Sequence, residues 1–417
     1  MPEPPYAWYV GIDWASESHQ VCVLDGAGTR AGERAFEHSG LGLAALAEWL
    51  VEVAGAGPEH IAVAIEVPRG AVVETLVERG FAVFALNPKQ LDRFRDRHTV
   101  AGAKDDRRDA FVLADSLRTD QPAFRPVRPD EPHIVELREL SRLADELQQE
   151  TRRLANRLRD QLLRFYPQLL PLCPAADEPW LWALLSQAPT PEQGQRLSVR
   201  AVERLLQAHR IRRLTPEAVH TALQSPPLRV QPGTVAAAAT VIAFLLPRLR
   251  LVHEQHGRIE QQIEALLAVM SSEAGAEGPR PEHRDVEILR SLPGIGRLVA
   301  ATLLGEAAQP LAARDYDTVR ALAGAAPVTR TSGKRRVVSM RYACHQRLRE
   351  AIYHWARVSV QRDEHSQWHY RALRARGHNH ARALRGVADR LLDVLIAMLK
   401  NGTLYDPMRR RPAAQTT

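Results

Sequence analysis

Three carboxylates fall within five residues at Asp105, Asp106 and Asp109, inside the stretch Lys104-Asp105-Asp106-Arg107-Arg108-Asp109-Ala110. The apolar spacing of Phe111 to Leu117 behind them predicts a helix. On a helix, Asp106 and Asp109 (i,i+3) share a face, and so do Asp105 and Asp109 (i,i+4). Like charges repel there unless a cation intervenes, and close carboxylates hold hard divalent ions in phosphoryl-transfer enzymes. Two further acids, Asp13 and Glu66, each end an apolar run, Trp8 to Ile12 and Ile61 to Ile65. An ionised group at the end of a buried strand is costly unless it is paired or binds metal. The four together would make a two-metal site. Ser332 is a candidate of another kind, in a Gly/Pro-broken basic loop with Arg330, Lys334, Arg335 and Arg336. Local positive charge activates a hydroxyl and steadies a phosphorane, so this serine has the setting of a nucleophile on phosphorus.

The elements that must position these residues follow from the apolar pattern. Trp8–Asp13, His19–Asp25 and Thr29–His38 read as three successive strands, the last two joined by a Gly26-Ala27-Gly28 turn. Leu41–Val53 reads as a helix, Ile61–Glu66 as a buried strand, Ala71–Arg79 as a helix and Phe81–Leu86 as a short strand. Three antiparallel strands followed by alternating helices and strands is the order of a ribonuclease-H-like fold, where ligands gather beyond the strand ends. From Ile134 onward, Leu137, Leu140, Ala144, Leu147, Leu154 and Leu158 step by threes, fours and sevens. A second amphipathic helix runs from about Val235 to Met270, with Pro247 as a kink. The pair, flanking a Pro-punctuated helical insert, fits either an antiparallel coiled-coil arm used for dimerisation or the core of an ordinary helical bundle, which the pattern alone leaves open. Ser272–Glu282 reads as a linker. Beyond it, the helix–Leu292-Pro293-Gly294-Ile295-Gly296–helix pattern reads either as a helix-hairpin-helix, whose glycines (Gly294, Gly296) let backbone amides approach a DNA phosphate, or as a plain tight turn between helices.

Length and composition set the frame. A chain of 417 residues is too long for one ordinary core, and 45% hydrophobic content is ample for packed domains. The net charge is +7, carried almost wholly by arginine, since the lysines are only Lys89, Lys104, Lys334 and Lys400. Guanidinium pairs bidentately with phosphate, so the balance favours a polyanionic partner. Cys22, Cys173 and Cys344 are few, odd in number and far apart, so neither a disulfide framework nor a zinc site is indicated. No signal peptide and no apolar run of membrane-spanning length is read, so a soluble, cytoplasmic, nucleoid-associated protein with no membrane partner is expected.

Val10-Gly11-Ile12-Asp13, the strand ending at Glu66-x-Pro68, and Lys104-x-Asp106-x-x-Asp109-Ala110 resemble the DEDD catalytic domain of bacterial insertion-sequence transposases of the one-ten type. The N-terminal domain of that family is similar to the junction nuclease RuvC. The pattern selects Asp106 over Asp105, which spacing alone leaves open. The stretch from Leu292-Pro293-Gly294 through Gly324-x-x-Pro327, Ser332-Gly333-Lys334 and Leu348-Arg349 is similar to the C-terminal transposase domain of the same family.

The resemblance implies that Ser332 is the DNA-joining nucleophile, and that Asp13, Glu66, Asp106 and Asp109 hold Mg²⁺ (or Mn²⁺). It implies one composite centre completed by domains of different subunits, a homo-oligomer (dimer or dimer of dimers), and double-stranded DNA as substrate. It also implies a structured guide RNA encoded by the element. Met340-Arg341-Tyr342-Ala343-Cys344-His345 stands where the commoner pattern has a basic residue and Gly-Asn. That departure leaves roles for His345 and Tyr342 open, with Tyr342 expected as a structural aromatic rather than a rival nucleophile. The expected architecture is multidomain α/β plus α. Residues 6–125 form a RuvC-like DEDD domain, 130–280 a helical coiled-coil region, and 284–400 a mainly helical domain with the helix-hairpin-helix and the serine. Residues 401–417 form a flexible basic tail. Lys104, Gly294, Gly296, Arg330, Lys334, Arg335 and Arg336 are the expected nucleic-acid contacts. The competing reading is a RuvC-like metal-dependent junction nuclease that hydrolyses DNA with water and has no need of Ser332.

Overall fold

The computed structural model describes residues 6–86, 91–94, 105–272, 281–333 and 335–410. The chain divides into two compact units, 1–130 and 131–417. In the first, strands β1 (Trp8–Asp13), β2 (Ser18–Asp25) and β3 (Arg30–Glu37) lead to helix α1 (Gly40–Ala54), then β4 (Ile61–Ile65), α2 (Ala71–Glu78), β5 (Ala82–Ala85), α3 (Asp106–Asp120) and β6 (Arg125–Pro126). They form one six-stranded sheet in the order β3-β2-β1-β4-β5-β6. β1 pairs antiparallel with β2 and parallel with β4. The two-residue β6 closes the edge antiparallel to β5, an element too short and too proline-bound for alternation to reveal.

Alternation along β1 and β4 sorts their side chains onto two faces. Val10, Ile12, Val63 and Ile65 pack with Leu46 and Leu50 of α1 and Leu76 of α2. Tyr9, Ala62 and Ala64 pack with Val112, Leu113 and Leu117 of α3. Asp13 and Glu66 follow in phase with this second set, so both acids belong to the face covered by α3.

The second unit is helical except for one ribbon. Its two long helices, α4 (Pro132–Phe165) and, after an insert, α9 (Thr234–Ser272), lie antiparallel. The start of α4 shares a core with the end of α9, through Ile134, Leu137, Ala144, Ile263, Leu267 and Met270. The end of α4 shares another with the start of α9, through Leu158, Leu162, Phe165, Ile242, Leu245 and Leu249. Buried positions 238, 242, 245, 249, 252, 263, 266 and 270 of α9 follow a heptad seam, with His256 and Ile259 at the intervening steps. His256 there faces not leucine but Gln148 and Thr151 of α4 across a polar pocket of about 320 Å³. His256 Nε2 is buried with no hydrogen-bond partner. α9 continues through Pro247, on its exposed side. By length and composition α9 could cross a membrane, which corrects the expectation that no such run exists; its Ala-rich first half carries no charge before Arg248. Its buried stripe is that of a helix packed against α4.

The insert, α5 (Pro179–Gln187), α6 (Pro191–Gln195), α7 (Val199–Ala208) and α8 (Pro216–Gln224), caps the far end of the pair. Trp180 and Trp182 are fully buried in that cap, and Trp182 Nε1 donates to the Ala176 carbonyl at 2.9 Å. The base of the pair continues into α10 (Pro281–Ser291), α11 (Arg297–Glu306), α12 (Ala308–Ala312) and α13 (Tyr316–Leu322). The ribbon of β7 (Val328–Ser332) and β8 (Arg335–Ser339) follows, then α14 (Gln346–Arg362), α15 (Glu364–Ala375) and α16 (His380–Asn401). The two regions expected as separate, 130–280 and 284–400, thus share a core, because the seam residues of α4 and α9 are also the packing partners of α11 and α14. The start of the expected flexible tail is fastened: Tyr405 O–H donates to Asp363 at 2.9 Å, and the Pro407 carbonyl meets His365 at 3.0 Å. Most of the expected 272–282 linker, and residues 411–417, lie outside the described residues.

Candidate active site

All four predicted acids gather at one end of the first unit's sheet. The β1–β4 register ends at Ile12 beside Ile65, so Asp13 and Glu66 follow on neighbouring parallel strands, and both are half-buried. α3 runs back across them. A Cβ built on Gly11 would stand 1.9 Å from the Ala110 carbonyl oxygen and 2.6 Å from the Ala114 nitrogen. Only a residue without a side chain lets the first turns of α3 lie on β1 this closely. Leu117, further along the helix, packs at the Tyr9 level. The N-terminal end of α3, carrying Asp106 and Asp109, therefore points toward the strand ends that carry Asp13 and Glu66. Asp106 is exposed, while Asp109 is only 2% exposed.

Asp105, the alternative to Asp106, is the N-cap of α3: its side chain accepts from the Arg107 N–H at 3.2 Å. The cap function accounts for a third acid in the motif. The sequence reading quoted Gly11 within its motif but gave it no role, although a glycine inside a buried strand signals close backbone approach. Gly11→Ala is expected to destabilise the first unit by about 1–3 kcal/mol through overpacking. Urea unfolding followed by circular dichroism would check this, and an unchanged midpoint would mean that α3 is not seated on β1. Lys104 lies outside the described residues.

Ser332 is the last residue of β7 and exposed, at the tip of the ribbon. Gly333 follows at φ +54°, a left-handed conformation that glycine adopts without strain. The register pairs Ser332 with Arg335 and Arg330 with Val337. Directly opposed residues and every second residue share a face, so Arg330 and Arg335 flank Ser332 on one face of the ribbon. Arg336 is the partner of Thr331 in the alternate pair, and Lys334 lies outside the described residues.

The ribbon's exit is anchored by a buried ion network. Glu306, 4% exposed, takes a fork from Arg142 (2.9 and 3.0 Å) and a contact from Arg347 Nε (3.1 Å), with His345 Nε2 at 3.5 Å. Arg347 also reaches Asp145 at 2.7 Å. Burial alone would raise the Glu306 carboxyl, but the Arg142 bonds and charge, with His345 and Arg347, hold it below the usual range. Burial among these cations lowers the His345 imidazole. His345 also marks the start of α14, where its backbone N–H donates to the Leu322 carbonyl at 2.8 Å. Glu306→Ala would remove the buried partner that Arg142 and Arg347 share, leaving Arg142 to Glu139 and Arg347 to Asp145, and is expected to cost about 3 kcal/mol in denaturant unfolding. Since the folded pKa of Glu306 lies below its unfolded one, its contribution is complete above about pH 4.3. It is lost as the pH falls through the folded value. Tyr342 corrects an expectation: its ring is 78% exposed, so it is no packing aromatic, and its carbonyl accepts from Arg349 at 3.0 Å.

The two glycines of the Leu292–Gly296 turn separate by function. Gly294 (φ +85°) faces inward, where a Cβ would meet Ser359 Oγ at 2.7 Å and Ser359 N at 2.9 Å. The neighbouring Pro293 carbonyl accepts from Trp355 Nε1 and Ser359 Oγ. Gly296 is exposed and precedes α11 with no side-chain cap, and a Cβ there would meet nothing within 4 Å. The acid-and-thiol group that does converge within 4.8 Å among the described residues is elsewhere, at Cys173, Asp177 and Glu178. Glu178 is already engaged by Trp180 Nε1 at 3.0 Å and by Arg213, and burial pushes the Cys173 thiol up to about 11. That cluster is a hydrogen-bonded knot within the insert.

The chain has relatives among known proteins. The profile described as a DEDD transposase of the IS110 type matches residues 10–167, and that of the transposase IS116/IS110/IS902 family matches residues 286–371. A putative transposase of Sinorhizobium fredii is 53% identical over 49% of this chain and 57% of its own length. The mini-circle putative transposase for IS117 of Streptomyces coelicolor is 31% identical over 98% of both chains. An IS116 protein of Streptomyces clavuligerus is 26% identical over 98% of both. With the acids in the first matched span, the serine in the second, and a relative aligned almost end to end, the chain belongs to the IS110/IS116 family of transposases, enzymes that cut and rejoin DNA.

Proposed function

We propose that this transposase cuts and rejoins the double-stranded DNA of a mobile element by transesterification at Ser332, assisted by divalent metal held at Asp13, Glu66, Asp106 and Asp109. The single observation that most supports this is the placement of the four acids at one end of the sheet, on the face covered by α3. The strand order, with β1 central and β4 parallel beside it, favours the ribonuclease-H and RuvC-like reading of the first unit. Four carboxylates are a hard, all-oxygen donor set, which fits Mg²⁺ or Mn²⁺. Bound there, the metal would polarise the scissile phosphate and stabilise the leaving oxygen.

The chain's own residues do the rest. As Ser332 Oγ bonds to phosphorus, the phosphorus–oxygen bond to the displaced strand breaks, and the serine's proton passes through solvent to the departing strand oxygen, which leaves as a hydroxyl. Arg330 and Arg335, on the same ribbon face, bear on the charge that the phosphate gains. The phosphoserine conserves the bond energy, so a strand hydroxyl can reverse the exchange on a new partner. An exposed tip gives Ser332 access to a duplex, and the uncapped start of α11 at Gly296 is suited to a backbone phosphate. The helix-hairpin-helix reading rests on that turn, with Gly294 serving the packing against α14.

We assign site choice to a structured RNA from the element. The working assembly is a homo-oligomer, dimer or dimer of dimers, in which domains of different subunits complete each centre in the cytoplasm or nucleoid. The test is to incubate the full chain with element-end DNA, candidate flanking RNA and Mg²⁺, and to look for a covalent protein–DNA adduct. An adduct at Ser332 is the expected result. Cleavage without any adduct would replace this reading with that of a hydrolytic junction nuclease.

A further inference from the structure

The ribbon bearing Ser332 stands over a pocket of about 270 Å³, lined on one side by Pro327, Ser339, Met340 and Arg341 and on the other by His378, Arg382 and Arg385 of the α15–α16 segment. Its charge is unbalanced. Among the described residues, Arg385 Nη1 meets Met340 Sδ at 3.0 Å, and Arg341 Nε meets the Ala326 carbonyl at 3.4 Å. Arg382 has no side-chain partner among the described residues. Arg349, behind Gly324 of the same wall, donates to the Gln346 side chain and to the Arg341 and Tyr342 carbonyls. The one carboxylate in the lining, Asp389, is already forked by Arg320 (2.9 and 2.7 Å) and receives the Tyr316 O–H. Elsewhere in this unit, part-buried arginines are matched to acids: Arg142 to Glu306, Arg314 to Asp285, Arg347 to Asp145. The contrast is visible in Arg385, whose guanidinium is lowered by burial and by the neighbouring Arg382 and Arg349 charges. A concave surface that crowds these cations around a single acid already taken by Arg320 is suited to an anion from outside.

We propose that this pocket seats a backbone phosphate of the nucleic-acid strand that passes Ser332, gripped by Arg341, Arg382 and Arg385 with His378 at the rim. The proposal rests on the reading of Ser332 as the nucleophile. Val328 and Ser339 form the ribbon's base pair, four residues from Ser332, so the pocket lies about 13 Å from the hydroxyl along the strand. A phosphate held there would fix the register of the strand at the ribbon tip, which makes these arginines positioning residues. Fork-shaped guanidinium donors suit a phosphodiester, whether of DNA or of RNA.

The test is equilibrium binding of the full chain to a fluorescent DNA duplex and to an RNA duplex of the same sequence, across a salt series without divalent metal. It compares the unmodified chain with the Arg382→Gln/Arg385→Gln and Arg382→Lys/Arg385→Lys double variants. The glutamine variant is expected to bind about tenfold more weakly, with a slope of log K against log salt shallower by about 1–2. The lysine variant is expected to keep the original slope. Loss confined to the DNA or to the RNA probe supports the pocket and names the strand it holds. An unchanged glutamine variant overturns the proposal, and so does an equal loss in both variants, since charge would then not be what the pocket supplies. Binding without metal is blind to the serine chemistry, so a failure of the nucleophile assignment would appear in the adduct assay and not here.

Discussion

Replacing Asp106 with asparagine is expected to slow DNA strand cleavage by about 1,000-fold or more, equivalent to about 4 kcal/mol of lost transition-state stabilisation, while DNA binding persists. The position suits the test because Asp106 is exposed in the first turn of α3, whereas Asp109 is buried and its loss would mix folding with chemistry. Asparagine keeps the shape and removes one anionic ligand, and the loss of a favourable charge at a helix N-terminus costs about 1 kcal/mol or less. Asp105→Asn provides the comparison. Asparagine caps a helix about as well as aspartate, so that variant should cleave normally. Cleavage by Asp106→Asn at the unmodified rate, or equal loss in both variants, would remove Asp106 from the metal site.

Ser332→Ala is expected to eliminate the covalent protein–DNA species outright, because no other hydroxyl would hold the phosphate in its place. The substitution falls at an exposed ribbon tip beside a turn whose conformation is carried by Gly333, so folding should be unaffected. Denaturing gel electrophoresis after quenching reads the result. An adduct that survives in Ser332→Ala would transfer the role to another nucleophile, with exposed Tyr342 the first to examine. Cleavage undiminished in the variant would leave the acids working with water.

The parts legible in the sequence are those where a local pattern decides the structure. β1 and β4 announce themselves as apolar runs, and the positions of Asp13 and Glu66 follow from where those runs stop. The turn after Ser332 needs a residue at positive φ, and glycine supplies it. What could not be read depends on contacts between distant residues. Gly294 looked like a glycine reserved for DNA because its reason, the backbone of α14 at Ser359, lies far along the chain. The arginines of the pocket looked like a diffuse surplus; Arg341 meets Arg382 and Arg385 only after the ribbon and α16 are folded. His345 and Glu306 are unremarkable apart, and the network that makes them a buried joint needs Arg142 from a third helix. The apolar steps of the long helices were legible, but not that Thr151 and His256 would line one pocket between them.

That polar layer governs how the α4–α9 arm can change length. One residue added before this level of α9 turns everything beyond it by about 100° and puts Gln255, Arg258 and Gln262 where His256, Ile259 and Ile263 now face α4. A deletion does the same in the opposite sense. Only seven residues added to both helices at matching levels restore every layer, extending the arm by about 10 Å at a time. The separation between the tryptophan-rich cap and the body that carries Ser332 is therefore quantised. Among relatives, arm lengths should differ by whole heptads, gained or lost in pairs at equal distances from the Thr151–His256 level.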